Sequence, residues 1–282
     1  MSTPYALVFV NALRAEFAKL FTVRLWWVML LILIGYIAFI AATLAGFVLA
    51  LPDLMAADPT APPLELEDAH LAVYSSASSI GYVFPVLLGA LAATAEFRNQ
   101  TLTPTFLASP RRATVLAAKL VALAAMGALY GVGALVGSVG VGAPMFALLG
   151  GDAALDSSDT WALFGRVLIA MSLWSVIGVA LGTLVRSQVA AIVTVLAFTQ
   201  FVEPILRLGA SFWEWTAQVG KFLPGAASDA LVGSSIFTVF AMGGGGAEAV
   251  MLEWWQGGLV LLGIALVAAV LGYFVTWVKD VT

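Results

Sequence analysis

Hydrophobic residues fall along this chain in six long runs separated by short polar stretches. The runs are Leu25–Leu51, Leu71–Ala95, Leu120–Leu149, Trp161–Val185, Val189–Leu206 and Gly257–Val278. A helix that crosses a bilayer needs about 20 mainly apolar residues. The pattern therefore predicts an all-α integral membrane protein with six transmembrane helices in one domain, 1–282: spans 25–51, 71–95, 120–149, 161–185, 189–206 and 257–278. The first run is longer than the apolar core of a signal peptide, which spans about 7–15 residues, and it reads as a retained span. Composition agrees: mean hydropathy is +1.04 and 10% of residues are charged, against about 25% in soluble domains.

Before the first run, residues 1–24 predict an amphipathic interfacial helix. Thr3-Pro4 is a helix-start pair. Phe9, Leu13, Phe17 and Leu20 make an apolar stripe at helical spacing, with Asn11, Arg14 and Lys19 off it. The stripe fits the headgroup region or a protein partner, with the cations toward anionic lipid. Trp26 and Trp27 then sit where interface anchors are expected.

The polar stretches differ in sign. Pro52–His70 and Gly150–Thr160 are acidic, whereas the 96–119 loop carries Arg98, Arg111, Arg112 and Lys119 against Glu96 alone. With the N-terminus placed inside, nine of the twelve basic residues lie on the inner side. Lysine and arginine accumulate on the cytoplasmic side of membrane proteins, so both termini and the 96–119 loop are expected in the cytoplasm. His70, the single histidine, reads as part of a solvated loop.

Within 96–119, Thr103-Pro104 and Ser109-Pro110 are helix-start signals. They predict a short helix over Pro104–Ala108, then a new helix opened by Pro110 that runs into the third span. Leu102 and Phe106, four residues apart, would be apolar anchors for a docking partner.

Three glycine pairs, Gly127/Gly131, Gly133/Gly137 and Gly178/Gly182, permit close helix approach. Pro144 is expected to kink or end the third span. Gln200, Glu203 and Arg207 bring polar groups to the end of the fifth span. Glu203 and Arg207 have i, i+4 spacing, so they read as a boundary ion pair or as the lining of a path. Residues 207–256 are irregular. Leu223-Pro224-Gly225 marks a turn, and Leu231–Met242 is too short to cross, so an extracytoplasmic, re-entrant segment is expected there.

The chemistry this sequence lacks narrows its function. It has no cysteine and one histidine, no G-x-x-x-x-G-K-[ST] phosphate loop, no H-E-x-x-H and no G-x-S-x-G. No catalytic residue, metal site or bound cofactor is expected, and nothing points to nucleic acid. Ionisable groups within the spans are few, which argues against a proton-driven carrier. Energy for transport would have to enter from a partner.

The chain resembles the permease subunits of type-2 ATP-binding-cassette (ABC) exporters. The resemblance rests on Glu16-x-x-Lys19 before the first span, then Glu96, Thr101-Leu102, Ser109-Pro110-Arg111-Arg112 and Lys119-Leu120, and finally Leu223-Pro224-Gly225. Gln100 stands where the family usually has glycine. The alanine-, glycine- and valine-rich composition is similar to that of actinobacterial proteins. The resemblance implies a bacterial inner-membrane exporter of an amphipathic or hydrophobic compound (drug, lipid or peptide). It also implies a second permease, identical or homologous, and cytosolic ATPase subunits that bind ATP and Mg2+. Residues Glu96, Leu102, Thr103, Pro104, Phe106, Arg111 and Arg112 would then couple the chain to the ATPase. A membrane scaffold or sensor whose loop binds a cytosolic regulator, and a secondary carrier, are the alternatives the residues leave open.

Overall fold

The computed structural model describes residues 5–55, 68–108, 111–185, 187–210, 214–234 and 252–277. Among these residues the fold is helical throughout. Six helices are long and apolar enough to cross a membrane: Leu25–Ala50, Ala69–Arg98, Arg112–Leu149, Ser158–Val185, Gln188–Arg207 and Trp254–Trp277.

The chain opens with α1 (Tyr5–Thr22) and α2 (Leu25–Met55). The second span is divided into α3 (Ala69–Ser79) and α4 (Val83–Arg98), followed by the short α5 (Leu102–Ala108). Next come α6 (Arg112–Leu149) and α7 (Ser158–Val185). The fifth span joins α8 (Gln188–Ala197) through a π turn, Phe198–Val202, to α9 (Glu203–Ala210). Then follow α10 (Glu214–Gly220), α11 (Pro224–Val232) and α12 (Trp254–Gly272), the last continued by a second π turn, Tyr273–Trp277.

Side-chain contacts fix the alternation of direction. At one end Lys19 on α1 reaches Glu96 on α4, Arg98 donates to Gln188 on α8 (2.8 Å), and Arg112 on α6 meets Trp277. At the other end Tyr74 on α3 donates to the Ala153 carbonyl, and Arg166 on α7 lies over Trp254 at 4.8 Å. Six antiparallel passes result, with α1 and α5 at the first end.

α6 and α7 form the centre, and glycine sets how closely their neighbours approach. A Cβ at Gly137 would stand 2.7 Å from the Ile34 carbonyl oxygen of α2, and one at Gly182 would stand 2.6 Å from that of Ala90 on α4. Gly127 and Gly131 seat α7 in the same way. Close backbone approach replaces the hydrophobic drive that a bilayer cannot supply. Tyr130, Leu123, Met126, Met171 and Trp174 fill the buried seam.

Several expectations need correction. Pro144 does not end the third span: α6 runs on to Leu149 and stops at Gly150, whose φ of 82° places it in the left-handed region. α6 begins at Arg112, ahead of the apolar run as the Pro110 signal anticipates, so it extends about 57 Å and projects well past a hydrocarbon core of about 30 Å. His70 is not in a solvated loop; it is buried on α3, edge-on to Tyr74. The 207–256 segment contains α10 and α11, and α11 is buried against the bundle over most of its length. The remainder of Leu231–Met242 past Ser234 lies outside the described residues.

Candidate functional site

α4 closes with a complete helix-stop motif. The Thr101 N–H donates to the Glu96 carbonyl (3.1 Å) and the Gln100 N–H to that of Phe97 (3.3 Å). This 6→1 and 5→2 pairing needs a left-handed residue between them. Gln100 fills the position with φ 53°, a backbone conformation that glycine adopts most readily.

The stop turns the chain directly into α5. That helix starts at Leu102, with Thr101 before it and the Thr105 N–H on the Thr101 carbonyl (3.2 Å). Pro104 thus falls in the first turn but not at its first position. It costs nothing there, because those N–H groups have no helical partner. Ser109-Pro110 lies outside the described residues, and Arg111 occupies the N-cap position of α6.

The apolar stripe on α5 faces the protein's own bundle, a correction to the docking-anchor expectation. Leu102 is 1% exposed. Phe106 packs edge-on to Trp277 at 5.7 Å and lies under the Arg112 guanidinium at 5.0 Å. Trp277 Nε1 donates to the Arg112 carbonyl (3.1 Å), and Arg112 Nη1 donates to the Trp277 carbonyl (3.3 Å). What α5 presents outward is Thr103, Pro104 and Leu107, the last 82% exposed.

Beneath α5 lies an ion cluster drawn from three elements. Lys19 Nζ contacts Glu16 Oε1 (2.6 Å) and Glu96 Oε1 (2.7 Å). Lys119 Nζ contacts Glu16 Oε2 (2.5 Å) and Glu96 Oε1 (3.1 Å). The two acids and two lysines form a closed, neutral ring, in which only Lys19 is well exposed. Burial raises the Glu16 carboxyl, but Lys119 and Lys19 outweigh it and hold the group below its usual range. Burial likewise lowers Lys19, but Glu96 and Glu16 keep its ammonium above the ordinary value. Lys119, expected as a loop cation, is instead 2% exposed. The ring binds α1 to α4 and α6, and Leu13, Phe17 and Leu20 of the α1 stripe pack against the bundle.

A second polar cluster lies toward the other end. Arg207 donates to Glu203 Oε1 (3.2 Å from Nη2) and to Asp229 Oδ2 on α11 (2.7 Å). Ser79 donates to Asp229 Oδ1 at 2.7 Å, and the Gly225 N–H donates to Glu203 Oε1. The Glu203–Arg207 pair read from spacing is present. Glu203 is buried within the protein, and its second partner, Asp229 on α11, was not anticipated.

Two prolines shape this region. Pro85 has no N–H for the Gly81 carbonyl, which accepts from Phe84 instead (3.1 Å), and the second span breaks between α3 and α4. Pro204 follows the π turn of the fifth span, where the Glu203 N–H reaches back to the Phe198 carbonyl. The two irregularities face a shared cavity of about 110 Å³ with Gln200 at its exposed lip. Pro85 was the available sequence signal for the break. Among the described residues no group of three or more His, Cys, Asp or Glu side chains could hold a metal ion. No protein-family model and no curated protein matches this sequence.

Proposed function

We propose that this chain is the permease subunit of an ATP-driven exporter of the type-2 ABC class. It moves an amphipathic or hydrophobic compound out of the cytoplasm or the inner leaflet of a bacterial inner membrane. The supporting observation is α5: its inward face is fixed by Leu102 and Phe106 while Leu107 is left exposed beside Thr103 and Pro104. A short helix held rigidly by one face and apolar on the other is suited to seat in a cleft of a cytosolic partner.

The excess of Lys and Arg at the α1/α5 end supports a cytoplasmic position for it. The chain is not an enzyme on this reading: the sequence has no phosphate loop, so ATP and Mg2+ belong to the partner ATPase. Spans 25–50, 188–207 and 254–277 are the least buried, which leaves lateral surface for lipid and for a second permease.

The test replaces an outward side chain without disturbing the packed face. Leu107→Asp, reconstituted with the partner ATPase, should insert and fold normally while export falls and hydrolysis persists or loses its stimulation by substrate. Export at the wild-type rate in that variant would refute the assignment of the docking face, and the absence of any copurifying ATPase would refute the transporter reading.

A further inference from the structure

The cavity between the two interrupted spans is neutral, yet one buried acceptor in its lining lacks a donor. Its two charged lining residues, Glu203 and Arg207, pair with each other (3.2 Å) and cancel. Glu203 is 1% exposed. Its Oε1 accepts from Arg207 and from the Gly225 N–H, whereas Oε2 has no hydrogen-bond partner among the described residues. A buried carboxylate oxygen left in this way is costly, the more so within a membrane span.

The uncharged donors of the lining are directed elsewhere. Ser79 donates to Asp229 (2.7 Å), Tyr82 to the Thr199 carbonyl (3.2 Å), Thr199 to the Val195 carbonyl (2.8 Å), and the Gln200 amide to the Thr199 hydroxyl oxygen (3.4 Å). The hydroxyl oxygens of Ser79 and Tyr82 keep acceptor capacity, as does the Gln200 side-chain carbonyl. A ligand that completes this site must bring its own donor and no charge. An anion would face Oε2, and a cation would unbalance a lining that is already neutral.

The space is about 110 Å³, far above the roughly 10–15 Å³ that one water needs. Its lip, Gln200, lies within the fifth span beside Leu196, Phe201 and Ile205, which are apolar and exposed. In a bilayer such a surface meets acyl chains rather than water. We propose that this cavity binds the hydroxyl head of a neutral amphiphile. The ligand O–H donates to Glu203 Oε2, and the apolar tail lies along the outer surface of the fifth span. A hydroxyl suits the site because it supplies the missing donor without adding charge. On the exporter reading such a molecule would be the cargo; that identification rests on the reading, whereas the site itself does not.

The test adds a long-chain alkanol, with a photoreactive diazirine near its hydroxyl, to the purified full chain in lipid nanodiscs without any ATPase. Labelled residues are mapped by mass spectrometry. The expected result is saturable labelling in the lining, around Ile80 and Pro204. Unlabelled alkanol should compete, and an alkane, a carboxylate or a quaternary ammonium of the same chain length should not. In Glu203→Gln the substituted amide keeps its oxygen toward Gly225 and Arg207, which puts an N–H where Oε2 stood, so the affinity should fall at least about tenfold. Ile80→Trp, which fills the space, should abolish labelling there, and Asp152→Asn should leave it unchanged. Should either cavity variant fail to fold, the other and the competition series decide the matter. Labelling that does not saturate, that the alkane or either charged amphiphile displaces as well as the alkanol does, or that survives both cavity variants would overturn the proposal and leave the space to water. Because no ATPase is present, that failure would leave the exporter reading standing, and failure of the Leu107→Asp test would leave this site standing.

Discussion

Lys119→Met offers the most direct measure of what the buried ring contributes. The substitution keeps the apolar stem and removes one ammonium that sits 2.5 Å from Glu16 and 3.1 Å from Glu96. Both acids stay buried, now sharing Lys19 alone, and the cluster passes from neutral to one net negative charge. A unit pair at 4 Å is worth about 4 kcal/mol at an effective dielectric near 20, and the distances here are shorter. Against that stands the relief of a desolvated lysine. Breaking a buried pair on one side costs about 3–5 kcal/mol, which is the expected loss. The double variant Lys119→Met/Glu16→Gln restores neutrality through Glu96 and Lys19. It should therefore be more stable than the single variant, with a coupling energy of about 1–3 kcal/mol. Denaturant unfolding in micelles, followed by tryptophan fluorescence across all four members of the cycle, gives these values. A loss under about 1 kcal/mol, the scale of a solvated pair, or costs that simply add, would show that the ring is neither dry nor coupled.

Two further outcomes follow from the same end of the molecule. Gln100→Gly removes the steric penalty of a left-handed residue and should raise stability by about 1 kcal/mol, read as a higher unfolding midpoint with unchanged helix content. The ring should also give stability a plateau in pH. Glu16 has a lowered folded pKa, so its contribution is complete above its unfolded value of 4.5 and is lost as pH falls through the folded one. Lys19 has a raised folded pKa, so its contribution is complete below 10.5 and is lost as pH rises through the folded value. Stability measured against pH should fall on both flanks, and Glu16→Gln should flatten the acid flank.

The spans were legible because a bilayer demands long apolar runs, and Leu25–Ala50 or Trp254–Trp277 can be little else. The glycine pairs were legible for a related reason: only a missing side chain lets backbones meet in lipid. The facing of α5 was not legible. Periodicity places Leu102 and Phe106 on one side, but it cannot say whether that side meets a partner or the chain's own Trp277. Burial of Lys119 escaped for a similar reason, since a charge at a span end normally reads as solvated until Glu16, 103 residues earlier, is found opposite it. The Glu203 cavity was half visible. Spacing gave the pair with Arg207, whereas Ser79 and Asp229 converge only through tertiary packing across 150 residues.

The indole of Trp277 is shared property. Its ring takes Phe97 and Phe106, and its N–H and carbonyl are both tied to Arg112. Three passes of the chain and the short surface helix therefore meet at one rivet. A load placed on Leu107, whatever applies it, is distributed at once to the last, second and third passes instead of bending a loop. Both ring contacts are edge-to-face, so neither phenyl ring can shift across the indole without giving up its contact.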